Sequence, residues 1–315
     1  MSRRVAAIDC GTNSVRLLIA EQAEPHFTEL DRDLILTRLG QGVDATGRFD
    51  PDALTRTLDA VSDFAARIKR ADADGVRFVA TSAARDASNR DAFFSGVRER
   101  LGVDAEIISG DEEARLSFTG ALSAARDVSW PVLVMDIGGG STELVLGRPT
   151  QPSGDGPGVV EILAAKSLDI GSVRIRERFL HSDPPSPDQV QEASDYIDSL
   201  LDGSGVPIET AGEWIGVGGT ATSLGAINLN LDAYDRSRVH GSTMTRDEVQ
   251  GMASRLLRTP VADVLKIPTM QPKRADVICA GALIAARVGV RCPVDLGISE
   301  ADILDGIVLD LLSRP

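Results

Sequence analysis

A chain of 315 residues is long enough to form two domains, each with a core of its own. Hydrophobic residues make up 43% and charged residues 25%, proportions that are typical of a globular protein. The net charge of −14 argues against a nucleic-acid partner, and an aromatic content of 4% leaves few rings on which single-stranded bases could stack.

The cysteines and the apolar segments indicate a cytoplasmic protein with no membrane partner. Cys10, Cys279 and Cys292 form no C-x-x-C pair, and their odd number is typical of a reduced protein. The apolar run before Asp9 is too short for a signal peptide. The longest uncharged apolar run, residues 277–286, is too short to cross a bilayer.

The predicted elements begin with a hairpin that carries an acidic residue and a glycine at its turn. Two apolar runs, residues 5–8 and 15–20, flank the segment Asp9-Cys-Gly-Thr-Asn-Ser14. The N–H groups of a tight glycine turn can bind an anion, and the hydroxyl groups can add further hydrogen bonds. This turn is therefore a candidate phosphate loop.

Strand and helix patterns alternate along the rest of the chain, which predicts an α/β fold. The N-terminal part predicts strands at residues 31–39, 76–80 and 105–108, with one helix beginning at Pro51 and a second ending at Gly102. The C-terminal part predicts strands at residues 159–164 and 294–298 and helices that begin near Ser186, Thr245, Pro272 and Glu300. Residues 149–158 are expected to form the tip of a hairpin.

Two glutamates follow the strand at residues 105–108. Ser109 and Glu112 have the spacing of a capping box, which explains Glu112 but not Glu113. An acidic residue in the first turn of a helix suits the helix dipole. However, ligands bind in α/β folds where strands run into helices, which makes Glu113 a candidate functional residue.

The segment Met135-Asp-Ile-Gly-Gly-Gly-Ser-Thr-Glu143 is the strongest functional signal in the chain. Three consecutive glycines between two apolar runs predict a tight turn that can bind an anion. Asp136 and Glu143 flank the turn with oxygen ligands suited to a metal that bridges phosphates. A purely structural hairpin is the alternative, but the similar turn after Asp9 favours two similar lobes that handle phosphate.

A third glycine-rich turn, Gly216-Val-Gly-Gly-Thr220, follows another strand pattern. Together with Ala221 it fits the relaxed G-x-G-x-x-G/A dinucleotide fingerprint of dehydrogenases, but it occurs late in the chain and accounts for neither turn that carboxylates flank. Residues 127–131 are the expected lobe boundary. The predicted lobes are residues 1–126 and 127–315, and the C-terminal helix at 300–315 is a candidate to pack on the first lobe.

Five segments together closely resemble the motifs of the exopolyphosphatase / guanosine-pentaphosphate phosphatase (Ppx/GppA) family of the actin-like ATPase superfamily. They are Asp9-Cys-Gly-Thr-Asn-Ser14, Thr81-Ser-Ala-Ala-Arg85-Asp86, Ile108-Ser-Gly-Asp-Glu-Glu-Ala-Arg115, Asp136-Ile-Gly-Gly-Gly-Ser-Thr-Glu143 and Gly216-Val-Gly-Gly-Thr220. The resemblance implies two ribonuclease-H-like lobes whose mixed sheets are flanked by helices. It also implies an active site in the cleft between the lobes.

The resemblance assigns roles to individual residues. Glu113 is expected to orient or deprotonate the attacking water, and Arg85 to face the phosphate chain. Mg²⁺ or Mn²⁺ is expected at Asp136, Glu143 and Asp9. Phosphate groups are expected at Gly11, Thr12, Asn13, Ser14, Gly138, Gly139, Gly140, Ser141 and Thr142, with Arg16 as a weaker candidate. A nucleotide base or the interface between the lobes is expected near Gly216, Gly218, Gly219 and Thr220.

The function implied is a magnesium-dependent exopolyphosphatase that removes the terminal phosphate of inorganic polyphosphate. Longer family members carry additional C-terminal helical domains, so short polyphosphates are the expected substrates of this chain. A pppGpp 5′-phosphohydrolase or an NTP phosphatase is the alternative within the family. The family also implies a homodimer.

Functions from other classes fit less of the sequence. A non-catalytic sensor of polyphosphate or alarmones would not need Glu113, and a kinase of the same superfamily would need an acceptor site. The chain contains no G-x-x-x-x-G-K-[ST] segment, which excludes a Walker-type NTPase, and its histidines lack zinc-ligand spacing. We interpret Lys166, Arg174, Lys273 and Arg274 as solvated charges, with a polyanion track as the alternative.

Overall fold

The computed structural model describes residues 2–24, 26–125, 127–149 and 160–314. The chain divides into two compact units, one made of Met1–Ser123 with Ile303–Pro315 and the other of Ala124–Asp302. The expected hairpin tip at residues 149–158 lies, apart from Pro149, outside the described residues. Among the helices in the described part of the chain, none is both long and apolar enough to cross a membrane.

Helices and strands alternate along the chain. Up to residue 124 they are β1 (Arg4–Cys10), β2 (Ser14–Gln22), β3 (Phe27–Leu36), α1 (Val43–Thr46), α2 (Pro51–Ala71), β4 (Gly75–Ala80), α3 (Ser82–Asp86), α4 (Asp91–Leu101), β5 (Ala105–Ile107) and α5 (Gly110–Ala124). From residue 132 they are β6 (Val132–Ile137), β7 (Thr142–Pro149), β8 (Val160–Leu168), α6 (Ser172–Arg178), α7 (Pro187–Asp202), β9 (Glu213–Val217), α8 (Gly218–Asn228), α9 (Arg236–Val239), β10 (Thr243–Met244), α10 (Arg246–Arg258), α11 (Val261–Val264), α12 (Ile278–Arg291), β11 (Leu296–Ile298) and α13 (Ile303–Ser313).

Each unit contains a mixed sheet, and the two sheets share a strand order. Within the described residues, the first sheet runs β3-β2-β1-β4-β5, with β1 to β3 antiparallel and β1, β4 and β5 parallel. The second sheet repeats this pattern as β8-β7-β6-β9-β11 and adds β10 beyond β11. The predicted α/β fold of two ribonuclease-H-like lobes is thus confirmed.

Helices cover both faces of the first sheet because successive residues of β1 point to opposite sides and residues 5–8 are all apolar. Ala6 and Ile8 pack in one cluster with apolar residues of α2 and α4. Val5 and Ala7 pack in another with the apolar stripe of α13, which comprises Ile303, Leu304, Ile307, Val308 and Leu311. The C-terminal helix is therefore part of the first unit's core.

Helix α13 approaches α5 closely at Gly306, and the contact leads to a prediction about stability. A Cβ at this position would overlap the backbone carbonyl of Leu116. Alanine is the better helix former by about 1 kcal/mol, but overpacking costs ~1–3 kcal/mol, so we expect Gly306→Ala to lower the free energy of unfolding. The measurement is the urea midpoint. Gly251→Ala in α10 is the matched control, because a Cβ there meets no atom within 4 Å; a Gly306→Ala variant as stable as this control would contradict the prediction.

Helix starts with capping residues are predicted correctly. Asp50 accepts hydrogen bonds from two backbone N–H groups of α2, and Pro51 is the first helical residue. Ser186 and Thr245 each form a complete capping box at the start of α7 and α10. Local side-chain chemistry therefore determines these boundaries.

Other element boundaries differ from the predictions, each at a point where the backbone changes its conformation. Strand β3 ends at Leu36, and Arg38 then adopts a left-handed conformation with φ 56°. The small-residue turn expected at residues 81–87 contains the short helix α3. Helix α12 begins at Ile278 instead of Pro272, because Pro272–Arg274 form a 3₁₀ turn.

Candidate active site

In the turn between β1 and β2, the carbonyl groups on one side accept hydrogen bonds, and the N–H groups on the other side point away from those bonds. The N–H of Gly11 donates across the turn at 2.9 Å. The carbonyls of Thr12 and Asn13 accept from the backbone of Gly40 and Arg38 at 2.8 and 3.0 Å. Because a trans peptide places one C=O and the next N–H on opposite sides, the N–H of Asn13 points away from Gly40. This N–H has no acceptor within the described residues.

The turn between β6 and β7 is built in the same way. The N–H of Gly138 donates to the carbonyl of Ser141 at 2.9 Å, as Gly11 does in the first hairpin. The carbonyls of Gly138, Gly139 and Gly140 all accept hydrogen bonds from the start of α6. The N–H groups of Gly139, Gly140 and Ser141 therefore point the opposite way, and they have no acceptor in the described part of the chain. Three such donors in succession form an anion-binding concavity.

Two carboxylates face each other beside this second turn. Asp136 on β6 is directly opposite Glu143 on β7, and the two residues are 8% and 2% exposed. The hydroxyl of Ser167 donates to Oε1 of Glu143 at 2.7 Å. Like charges directly across a strand pair repel, so positive charge close to the pair would stabilise this arrangement.

In the first hairpin, the residue opposite the aspartate is cationic instead of acidic. Asp9 is directly opposite Arg16, whose Nε and Nη2 donate to Oδ2 of Asp9 at 2.9 and 2.6 Å. Both side chains are largely buried. Asp9 therefore already has a cationic neighbour.

Glu113 and Arg85 are brought together in the first unit. Glu113 lies in the first turn of α5 and is 8% exposed. Nη1 of Arg85 donates to Oε2 of Glu113 at 2.9 Å and to the carbonyl of Ile108 at 3.0 Å. Arg85 thus fixes the orientation of the Glu113 carboxylate. That Arg85 faces the phosphate chain stays a prediction.

The capping box predicted at Ser109 is only half formed. The N–H of Glu112 donates to Oγ of Ser109 at 3.1 Å, but the Glu112 carboxylate accepts from Nη2 of Arg77 at 2.6 Å. Arg77 is buried and also binds Asp310 of α13 at 3.0 Å. This network ties the first turn of α5, which carries Glu113, to β4 and α13.

The third glycine-rich turn lies next to the carboxylate of Asp136 in the second unit. Gly218 has φ 74°, and a Cβ there would lie 2.5 Å from Oδ1 of Asp136. The hydroxyl of Thr220 donates to the carbonyl of Ile137 at 3.1 Å. Gly216 lies near the carboxyl end of β9, and β9 pairs with β6, the strand that leads into the second turn. The nucleotide role of this turn stays a prediction.

Two arginines interpreted as solvated are buried in the structure. Arg274 is 9% exposed, and its guanidinium lies so close to Gly219 that a Cβ there would overlap it. Arg174 is largely buried, and its Nε donates to the carbonyl of Gly140 at 2.8 Å. The solvated interpretation is therefore wrong for both. Lys166 and Lys273 are exposed, as expected.

The thiol next to the first turn is not a reactive group. Burial, and to a lesser degree the charge of Asp9, raise the pKa of the Cys10 thiol far above its usual value. Burial also raises the pKa of the Cys279 and Cys292 thiols. The three cysteines are buried and form no disulfide, and thiols of this kind stay protonated and inert.

The donor set in the second unit suits magnesium better than a softer metal. Within the described residues, no group of three or more His, Cys, Asp and Glu side chains could hold a metal ion. Mg²⁺, however, commonly binds through one or two carboxylates together with water and substrate phosphates. The opposed carboxylates of Asp136 and Glu143 fit that pattern.

Comparisons with known proteins agree over both units. The model of the Ppx/GppA phosphatase family matches residues 18–312. Exopolyphosphatase 2 of Mycobacterium tuberculosis is 43% identical over 324 residues, which cover 98% of each chain. A solved structure titled an exopolyphosphatase-like protein has 40% identity and a TM-score of 0.93, with 98% of each chain covered. The solved Aquifex aeolicus member of the Ppx/GppA family has 28% identity and a TM-score of 0.80, with 99% of this chain and 98% of that chain covered.

Proposed function

Because the chain belongs to the Ppx/GppA phosphatase family, we propose that it hydrolyses the terminal phosphoanhydride bond of inorganic polyphosphate. The observation that carries this proposal is the second glycine turn. Three successive N–H groups, of Gly139, Gly140 and Ser141, are available for phosphoryl oxygens beside the carboxylates of Asp136 and Glu143. A polyphosphate end supplies the anionic oxygens that such donors bind.

The proposed reaction transfers the terminal phosphoryl group to water. The water oxygen forms a bond to the terminal phosphorus, the bridging P–O bond breaks, and its electron pair leaves with the shortened chain. Glu113, held by Arg85, orients the attacking water and accepts its proton. The N–H groups of both glycine turns bind phosphoryl oxygens, since phosphoryl transfer depends mainly on positioning and charge stabilisation.

We further propose that Asp136 and Glu143 hold Mg²⁺ or Mn²⁺, directly or through water. The metal would neutralise charge on the phosphate oxygens when bound. Their opposed positions in the strand register support this assignment. Asp9 is a weaker candidate because it pairs with Arg16.

A phosphate-release assay tests the function. Purified protein is incubated with tripolyphosphate, long-chain polyphosphate, pppGpp or ATP, with and without Mg²⁺, and the initial rate of orthophosphate release is measured. We expect magnesium-dependent release that is fastest from polyphosphate. Fastest release from pppGpp or ATP would instead assign the alternative within the family, and binding of polyphosphate without release from any substrate would indicate a sensor.

Two further properties belong to the proposal, the first from the family resemblance and the second from the cysteines and the short apolar runs. A homodimer is expected and would be seen by sedimentation equilibrium. A cytoplasmic location is expected, and the buried, unpaired cysteines are consistent with a reducing compartment.

A further inference from the structure

The first turn of helix α6 is bonded to the second glycine turn through all three glycine carbonyls. The N–H groups of Ser172 and Val173 donate to the carbonyls of Gly138 and Gly139, each at 2.9 Å, and the N–H of Arg174 also donates to Gly139 at 3.1 Å. The carbonyl of Gly140 is held differently. It accepts from a side chain, Nε of Arg174, at 2.8 Å.

These bonds decide where the anion-binding N–H groups point. Each carbonyl that turns toward α6 directs the next residue's N–H to the opposite side, because the peptide unit is planar and trans. The bond to the Gly140 carbonyl therefore fixes the N–H of Ser141. That N–H is the last of the three donors, and it adjoins the strand residue Thr142.

The loop before α6 packs tightly against the second glycine turn, and the Gly140 carbonyl is the point at which a side chain, Arg174, holds the turn. Gly171 lies so close to Gly139 that a Cβ would overlap the Gly139 carbonyl, so the two backbones are in direct contact. Thr142 is anchored as well, since its hydroxyl donates to the carbonyl of Ile170. The Gly138 carbonyl accepts from both the N–H and Oγ of Ser172, and the Gly139 carbonyl accepts from backbone N–H groups. Within the described residues, the Gly140 carbonyl accepts from a side chain and from no backbone N–H, so a substitution of Arg174 can remove its bond.

We propose that Arg174 is a positioning residue for phosphate binding. It acts through its hydrogen bond to the Gly140 carbonyl, and its positive charge does not contact the phosphate. Nε bonds to the turn, and Nη2 lies 4.0 Å from Oδ1 of the exposed residue Asp169. The side chain is only 11% exposed. This inference rests on the proposed function, because it concerns how the same turn binds the substrate's phosphoryl group.

Glutamine and lysine separate the two roles at this position. Nε2 of glutamine is attached to Cδ, as Nε of arginine is, so Arg174→Gln keeps a donor at the same place but removes the charge. Lysine carries a methylene carbon there, so Arg174→Lys keeps the charge but loses that donor. Arg174→Met removes both.

The test is steady-state hydrolysis of tripolyphosphate by the full chain, together with the dissociation constant of tripolyphosphate measured by calorimetry. We expect Arg174→Lys and Arg174→Met to raise KM and Kd roughly tenfold, the effect of losing one hydrogen bond to a charged group, while kcat changes little. Arg174→Gln should stay within about threefold of wild type by the same reasoning. Arg178→Gln on the same helix is the matched control and should behave as wild type, since Arg178 binds Tyr196.

Three results would overturn the inference: a lysine variant that binds better than the glutamine variant, equal losses in the two, or wild-type constants in all three. Circular dichroism and a thermal melt confirm that each variant is folded, and the Gln and Lys variants suffice if the Met variant is not. An inactive wild-type protein that still binds tripolyphosphate would contradict the proposed function alone, because the calorimetric order of the variants would still test Arg174.

Discussion

Replacing Glu113 with glutamine is expected to lower kcat for tripolyphosphate by roughly a hundredfold or more and to leave KM nearly unchanged, the size expected for losing a positioned base. The glutamine amide has the shape of the carboxylate but cannot accept a proton from water. Arg85 holds Oε2 of Glu113 at 2.9 Å, so the side chain is already oriented before substrate binds. An effect on kcat alone is the signature of an interaction made only in the transition state.

Glu112→Gln is the matched control for this experiment. Glu112 is the preceding residue of the same helix turn, but its carboxylate binds Arg77 and is about half exposed. We expect its effect on kcat to be within about threefold, since a partly exposed ion pair contributes little free energy. A Glu113→Gln variant that turns over at nearly the wild-type rate would remove Glu113 from the reaction.

Asp136→Asn is expected to cause the second large loss, in both metal binding and activity. Substituting a residue that only orients a metal ligand typically lowers metal affinity or activity by ~10–100-fold. Substituting a residue that holds the ion itself should lower them by at least about a hundredfold. The variant keeps the side-chain volume but removes one of the two carboxylates that face each other beside the second turn. Binding of Mn²⁺, measured by electron paramagnetic resonance in the absence of turnover, reports the affinity separately from the rate.

The control for metal binding is Asp263→Asn in the same unit. Asp263 is half exposed and pairs with Lys266 at 2.6 Å, so its loss should alter neither Mn²⁺ affinity nor the magnesium dependence of the rate. If Asp136→Asn binds Mn²⁺ as tightly as the wild-type protein does, the metal assignment is incorrect. The phosphate-binding role of the adjacent turn would then need a different source of positive charge.

The two glycine turns could be predicted because their signals are local. Apolar runs on both sides define a hairpin, and glycine permits a turn with successive N–H groups on one side. The structure adds that Gly11 and Gly138 close their turns with the same hydrogen bond. It also shows that the residue opposite the aspartate is Arg16 in one hairpin and Glu143 in the other. This difference in charge is readable in the sequence once the strand register is known.

The sequence does not predict which arginines are buried or which residues they contact. Arg174 and Arg274 have no local pattern that separates them from exposed residues such as Lys273. Their burial depends on contacts with Gly140 and Gly219, which are distant in the chain. The partner of Glu112 is likewise a residue distant in the chain, Arg77 on strand β4, which is why the predicted capping box is only half formed.

The most direct test of the proposed chemistry is hydrolysis of tripolyphosphate by the wild-type protein in water enriched in oxygen-18, followed by phosphorus NMR. We predict that the first orthophosphate released carries one labelled oxygen and that the pyrophosphate product carries none, because water attacks the terminal phosphorus. Label in the pyrophosphate, or consumption of tripolyphosphate without labelled orthophosphate, would contradict terminal phosphoryl transfer to water.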